Sequence, residues 1–153
     1  MLSEFKIFLI AMSPIVELRG SIPIALRVYD LPIWSAYLFS VLGNLVPLIL
    51  IIFVLEPISK FLSRRIYFFN RFFNWLFSHT RRVNSDKFEK LGKNLAVVVL
   101  VATPIPFIGG WTGAIAAFVF GIPFKKALPL VTIGCLIAGI IITLITLGIT
   151  KII

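Results

Sequence analysis

Two runs of 24 residues contain no Asp, Glu, Lys or Arg: "PIWSAYLFSVLGNLVPLILIIFVL", from Pro32 to Leu55, and "ALPLVTIGCLIAGIIITLITLGIT", from Ala127 to Thr150. As helix, each would be roughly 36 Å long, enough to cross a hydrocarbon core of about 30 Å with some tilt. Water offers no good alternative. The chain is 59% hydrophobic and 14% charged, against about 45–50% and about 25% in soluble domains. A domain of 153 residues has too little interior to hide that excess. The expected fold class is therefore an all-α integral membrane protein, and Asn44, Pro47 and Pro129 inside the spans read as packing positions or kinks.

Two further apolar stretches are broken in the middle. The first runs from Leu2 to Val28 and carries "SPIVELRGSIPIAL", in which Glu17 and Arg19 stand among Pro14, Gly20 and Pro23. The second, Leu95 to Pro123, gathers Pro104, Pro106, Gly109, Gly110 and Gly113 within ten residues. Proline removes a backbone donor and clashes with the preceding turn, and glycine is a poor helix former. Each side of a break holds only about 9–12 apolar residues, shorter than the stretch a spanning helix needs. Re-entrant hairpins are the preferred reading.

The order is broken segment, span, linker, broken segment, span, which is a repeat. A shift of ninety sets Pro14 on Pro104, Ile15 on Ile105 and Gly20 on Gly110. A unit of one hairpin and one crossing must invert when repeated, as in inverted-topology transporters. The expectation is a single membrane domain over residues 1–153, with repeats at 1–55 and 95–153 and a basic amphipathic linker at 56–94. That linker holds nine Lys and Arg against three acids. Its part from Phe61 to Phe77 interleaves aromatics with Arg64, Arg65 and Arg71, as an element lying on a membrane surface does. By the positive-inside rule the linker is cytoplasmic. The same rule counts eleven basic residues inside and three outside whether the broken segments are hairpins, with both termini outside, or spans, with both inside. The pattern Glu4, Pro14, Glu17 around the first apolar run, without a small-residue cleavage site, argues against a removed signal peptide.

The formal charge of +9 is explained by basic residues beside membrane-length runs, so nucleic acid is not an expected partner. The single His79 lies in the linker and Cys135 in the last span. Neither a Ser–His or Cys–His pair at membrane depth nor a metal cluster can assemble from them. No phosphate-binding glycine loop is present. The chain is not expected to be an enzyme or to hold a metal or organic cofactor; a proton or Na+ remains available as a coupling ion.

Charges are costly in a bilayer, on the order of 2.5–3.5 kcal/mol each on insertion scales. Glu17 and Arg19 must therefore pair, line a wet cavity or meet a charged ligand. If "ELRGSIP" is a hairpin tip in a watery pocket, its helix ends offer oriented N–H or C=O groups. The alternative is that the two neutralise one another and staple the fold. "PIPFIGGWTG" would form the other wall of the site, offering backbone groups, the Thr112 hydroxyl and the Trp111 indole, with close approach allowed by Gly109 and Gly110. It could equally be a packing surface built on Gly113, Ala114, Ala116 and Ala117.

At "VELRGSIPIAL" and "TPIPFIGGWTGAIAA" the chain resembles the small multidrug export protein family, short prokaryotic membrane proteins with an early E-L-R-G-x-I-P motif and a late P-x-P-x-x-G-x-x-T-G motif. More distantly it is similar to the DedA superfamily. That resemblance implies two re-entrant hairpins in inverted repeats, a place in the cytoplasmic membrane, and movement of lipids such as undecaprenyl phosphate between leaflets. It points to Glu17, Arg19 and Pro23 in the first hairpin. Where DedA-type second hairpins carry arginine, this chain has Gly109, Gly110 and Trp111, so only Arg19 could meet an anionic headgroup at depth. The expected function is a transporter or lipid translocase for an anionic lipid or small amphipathic molecule, working as a homo-oligomer. Its expected site is Glu17, Arg19, Gly20, Pro23, Pro104, Pro106, Gly109, Gly110 and Thr112. A small-cation or drug exporter with Glu17 as the binding group, and a non-transporting scaffold acting through the linker, are the alternatives.

Overall fold

The computed structural model describes residues 2–65, 87–105 and 109–152. Most of the aromatic–basic stretch of the linker, and Pro106, lie outside the described residues. Among the described residues the regular elements are helices: α1 (Leu2–Ala11), α2 (Glu17–Arg27), α3 (Ile33–Arg65), α4 (Lys87–Ala102), α5 (Gly110–Val119) and α6 (Phe124–Ile152). The two spans expected from composition fall on α3 and α6, as apolar stretches Ile33–Leu55 and Phe124–Ile149. Helix α3 does not stop at the membrane boundary; it continues through Pro57 to Arg65, into the part of the chain read as linker.

Both broken segments are pairs of short helices that fold back on themselves. Helix α1 ends just before Ser13–Pro14, and α4 just before Thr103–Pro104, where the residue preceding proline is pushed out of the helical region. The first reversal is seen in Lys6, whose ammonium lies 5.8 Å from the centre of the Tyr29 ring, joining the middle of α1 to the residues just beyond α2. In the second, Gly113 of α5 is close-packed on Val101 of α4, and any Cβ there would collide with the valine side chain. Left-handed residues sit beyond each returning arm, Asp30 with φ 46° after α2 and Gly121 with φ 67° after α5. After α5 the N–H groups of Gly121 and Ile122 close the turn onto the carbonyls of Phe118 and Ala117.

Helices α3 and α6 pack on each other at the centre. Helix α1 lies on α3 and α4 on α6, while α2 and α5 each pack against both long helices. The buried positions recur along the chain. Ile7 and Ala11 in α1 are followed ninety residues later by Val97 and Val101 in α4. In α2, Leu18, Ser21, Ile22 and Ala25 recur ninety-two residues later as Gly110, Gly113, Ala114 and Ala117 in α5. In α3, Ala36, Ser40, Gly43, Asn44, Pro47 and Leu48 recur ninety-one residues later as Ala127, Val131, Gly134, Cys135, Ala138 and Gly139 in α6. The changes in offset are those of the connections. The second break spans 103–109 and the first 12–16, two residues fewer; the return at 120–123 is one residue shorter than that at 28–32.

Close approach fixes the outer arms. A Cβ on Gly43 would collide with the carbonyl oxygen of Phe8, and one on Gly134 would come within 3.0 Å of the Val98 carbonyl oxygen. Each long helix thus uses a glycine at the same place to lie against the backbone of the arm beside it.

Candidate functional site

The turn of the first hairpin is Met12–Val16, earlier than "ELRGSIP" suggests, and Glu17 is the first residue of α2. Gly20 and Pro23 lie inside that helix. Gly20 acts locally, because a Cβ there would collide with Val16 as the turn folds over the helix start. Pro23 cannot donate back to the turn at Arg19, which weakens α2 in its middle.

Glu17 has φ 47°, in the left-handed region that costs a residue with a Cβ roughly 1–2 kcal/mol. Residues two apart diverge on a regular helix. With Glu17 out of regular geometry, its Oε2 lies 3.8 Å from Arg19 Nη2, with the arginine side chain 24% exposed and the glutamate 12%. The pair does not merely close on itself. Arg19 Nη2 donates to the carbonyl oxygen of Thr103 at 3.4 Å, across to the second break. The Glu17 carboxylate lies against Gly109 at the start of α5, where the backbone N–H groups of Gly110 and Trp111 follow. Those N–H groups open α5 and have no acceptor within the helix; the positive end of the helix dipole favours a carboxylate placed there.

Gly109 makes this approach possible. A Cβ on it would lie 2.5 Å from Arg19 Nη2 and 2.8 Å from Glu17 Oε2. Thr112 is spent on local order: its hydroxyl accepts from the Gly109 N–H at 2.8 Å and lies 3.0 Å from the Gly109 carbonyl oxygen, to which it can donate. The two breaks enclose a cavity of about 370 Å³, bounded by Pro14, Ile15, Glu17 and Arg19 on one side and by Gly109, Trp111 and Thr112 on the other. The Trp111 indole Nε1 is buried and has no hydrogen-bond partner. Behind the charged pair, a void of about 10 Å³ bordered by Thr103, Pro104, Gly110 and Asn44 reaches α3 and α6. Asn44 stands at the middle of the apolar stretch Ile33–Leu55.

Of the residues singled out in the sequence, Glu17, Arg19, Gly109 and Thr112 meet at the cavity, Pro104 and Gly110 border the void behind it, and Gly20 and Pro23 border neither. Sequence reasoning passed over Pro14 and Ile15 as walls of the cavity, the Thr103 carbonyl, and Asn44 with Cys135 behind it. A comparison of the two spans at an offset of ninety-one would have aligned "GN" at Gly43–Asn44 with "GC" at Gly134–Cys135. Among the described residues no group of three or more His, Cys, Asp or Glu is placed to hold a metal ion.

A family model described as "Putative small multi-drug export protein" matches residues 17–141. No curated protein and no solved structure matches the chain.

Proposed function

Because the chain belongs to the family of small multi-drug export proteins, we propose that it is a membrane transporter that moves small amphipathic molecules through the cavity between its two helix breaks. One observation carries this reading: both ionisable groups of the first break meet the backbone of the second, Arg19 by a hydrogen bond to Thr103 and Glu17 by close approach to Gly109, at the edge of a cavity. At about 370 Å³ that cavity is within the usual range of small-ligand sites, about 300–1,000 Å³.

The lining suggests what enters. Pro14 and Ile15 accept an apolar body, while Arg19 and the Trp111 N–H offer donors to an acceptor or anionic group. The Glu17 contact with α5 and the Arg19 contact with Thr103 form a latch between the two breaks, and a substrate that competes for Arg19 opens it. A proton arriving at Glu17 would weaken the same latch, which makes a proton the favoured coupling ion over Na+.

The architecture that serves this mechanism is an inverted repeat of re-entrant hairpins. Supporting it, α1, α2 and α5 have 10 or 11 residues, about 15–17 Å of helix, half the depth of a hydrocarbon core. The apolar part of α4 is comparably short, Leu91–Ala102. The recurrence of buried positions between the halves supports the repeat. In this arrangement the hairpins enter from opposite faces, the linker is cytoplasmic and both termini are outside. Two spans give a thin wall, so a homo-oligomer completes the pathway.

Transport in proteoliposomes tests the reading. A fluorescent amphipathic anion, its cationic counterpart and a labelled undecaprenyl-type phosphate are compared. Uptake of the anion, reduced about 10- to 100-fold in Arg19→Ala as expected for one lost charge-assisted contact, supports it. Uptake of the cation alone, unaffected by Arg19→Ala, overturns it in favour of a Glu17-based cation exporter. Movement of the phosphate lipid alone moves the substrate to lipid translocation. No uptake by folded wild type favours a scaffold role.

A further inference from the structure

The cavity at the base of the second hairpin is a different object from the one between the breaks. It is about 90 Å³ and is bordered by Lys93 and Asn94 of α4, Lys126 of α6, and the return at 120–123 between α5 and α6. Lys93 borders this cavity, and its Nζ atom is buried with no hydrogen-bond partner. An ammonium withdrawn from water without a counter-charge is among the most costly arrangements a protein can hold. A second lysine on the same small cavity raises that cost, and among the described residues no acid borders it.

The first half of the chain handles the corresponding place differently. At the offsets of ninety and ninety-one found for these arms, Asn94 corresponds to Glu4 and Lys126 to Ser35. There the Ser35 hydroxyl donates to the Glu4 carboxylate at 3.0 Å, so the polar groups are satisfied inside the chain. In the second half an acid–hydroxyl pair has become an amide and a lysine, and among the described residues the charge is left for something from outside.

Position says what that is. Lys93 stands near the start of the apolar stretch Leu91–Ala102, and Lys126 near the start of Phe124–Ile149, so the cavity lies where the chain enters the membrane. Pro123 borders it and immediately precedes α6, whose positive end favours an anion. The volume is roughly that of three waters, at about 30 Å³ each, room for one tetrahedral oxyanion. We propose that this cavity binds a single phosphate group, held by Lys93 and Lys126 with the Asn94 amide as a further donor. The site stands apart from the transport cavity and does not depend on what that cavity carries.

The test uses the full chain in a zwitterionic detergent with two probes: a fluorescent phosphatidic acid and radiolabelled orthophosphate. The variants are Lys93→Gln and Lys126→Gln, with Lys125→Gln, which does not border the cavity, as control. We expect wild type to bind at least one probe, and each cavity variant to weaken that binding roughly tenfold or more, as for loss of a charge-assisted contact, while Lys125→Gln stays within about twofold. Binding of the lipid alone identifies a headgroup; equal binding of orthophosphate identifies a free phosphate; both support the site. Thermal unfolding supplies a second readout. Lys93→Met, which removes the uncompensated charge, should raise Tm without ligand and abolish the rise that phosphatidic acid gives wild type. Wild-type affinity in both cavity variants, an equal loss in Lys125→Gln, or no binding of either probe overturns the proposal.

Discussion

The side-chain amide of Asn44 donates to the sulfur of Cys135 across 3.5 Å, joining the centres of the two long helices at positions ninety-one residues apart. Both residues are buried, and Cys135 is the only cysteine in the chain. It is therefore a clean reporter of the central helix contact. A maleimide should label it little in the folded protein and fully in SDS; fast labelling of the folded protein would show that the α3–α6 interface opens to reagent. The bond itself is long and its acceptor weak. A double-mutant cycle with Asn44→Ala and Cys135→Ala should give a coupling of about 0.6 kcal/mol or less, near the average for polar contacts between membrane helices.

Gly43 and Gly134 should tolerate alanine badly, since the added Cβ meets backbone carbonyl oxygens that cannot rotate away. Each substitution is expected to cost about 1–3 kcal/mol, the range for overpacking, read as a fall in Tm in detergent. Gly148, with open space around it in α6, is the control. Gly148→Ala should leave the protein as stable as wild type or up to about 1 kcal/mol more stable. Equal effects at all three positions would show that packing against the outer arms is not what matters.

Gly109→Ala tests the latch rather than the fold. The new methyl group would stand where Arg19 Nη2 and Glu17 Oε2 now are, so the charged pair must withdraw from the second break. The expected outcome is transport reduced by at least tenfold with Tm changed by only a few degrees. Unchanged transport would mean that the contact between the breaks is not used.

Arg19→Lys separates charge from shape. The substitution keeps the positive charge but loses the guanidinium, whose Nη2 reaches both Glu17 and the Thr103 carbonyl. Uptake of the amphipathic anion should fall nearly as far as in Arg19→Ala. Wild-type uptake would show that a point charge suffices and that the Thr103 contact is incidental.

Much of the architecture is legible in the sequence because lipid allows so few solutions. Uncharged runs of spanning length and prolines that stop helices placed the apolar spans and both breaks to within a few residues, while α3 runs on to Arg65 and α4 begins at Lys87, inside the stretch read as linker. The location of the first turn was less accessible. Gly20 and Pro23 look like breakers, yet packing against both long helices holds α2 together through them, so the turn falls at Pro14 instead. The meeting of Glu17 with Arg19 required a left-handed residue at Glu17, which no residue type announces. Its approach to Gly109 joins positions more than ninety residues apart at a backbone that has no side chain there, and a backbone approach carries no sequence signature. The pairing of Asn44 with Cys135 was hidden more simply: an offset of ninety aligns the first arms, but the spans need ninety-one.

The shortness of the hairpin arms has an electrical consequence. In the proposed re-entrant arrangement both hairpins stop near the middle of the membrane, and water following their polar ends from either face would leave only the junction at Glu17, Arg19 and Gly109 as insulator. The transmembrane field would then fall across that thin septum, where one elementary charge carried through 100 mV changes energy by about 2.3 kcal/mol. A charged molecule crossing here would feel nearly the whole voltage in one short step, and its rate should follow the sign of the membrane potential.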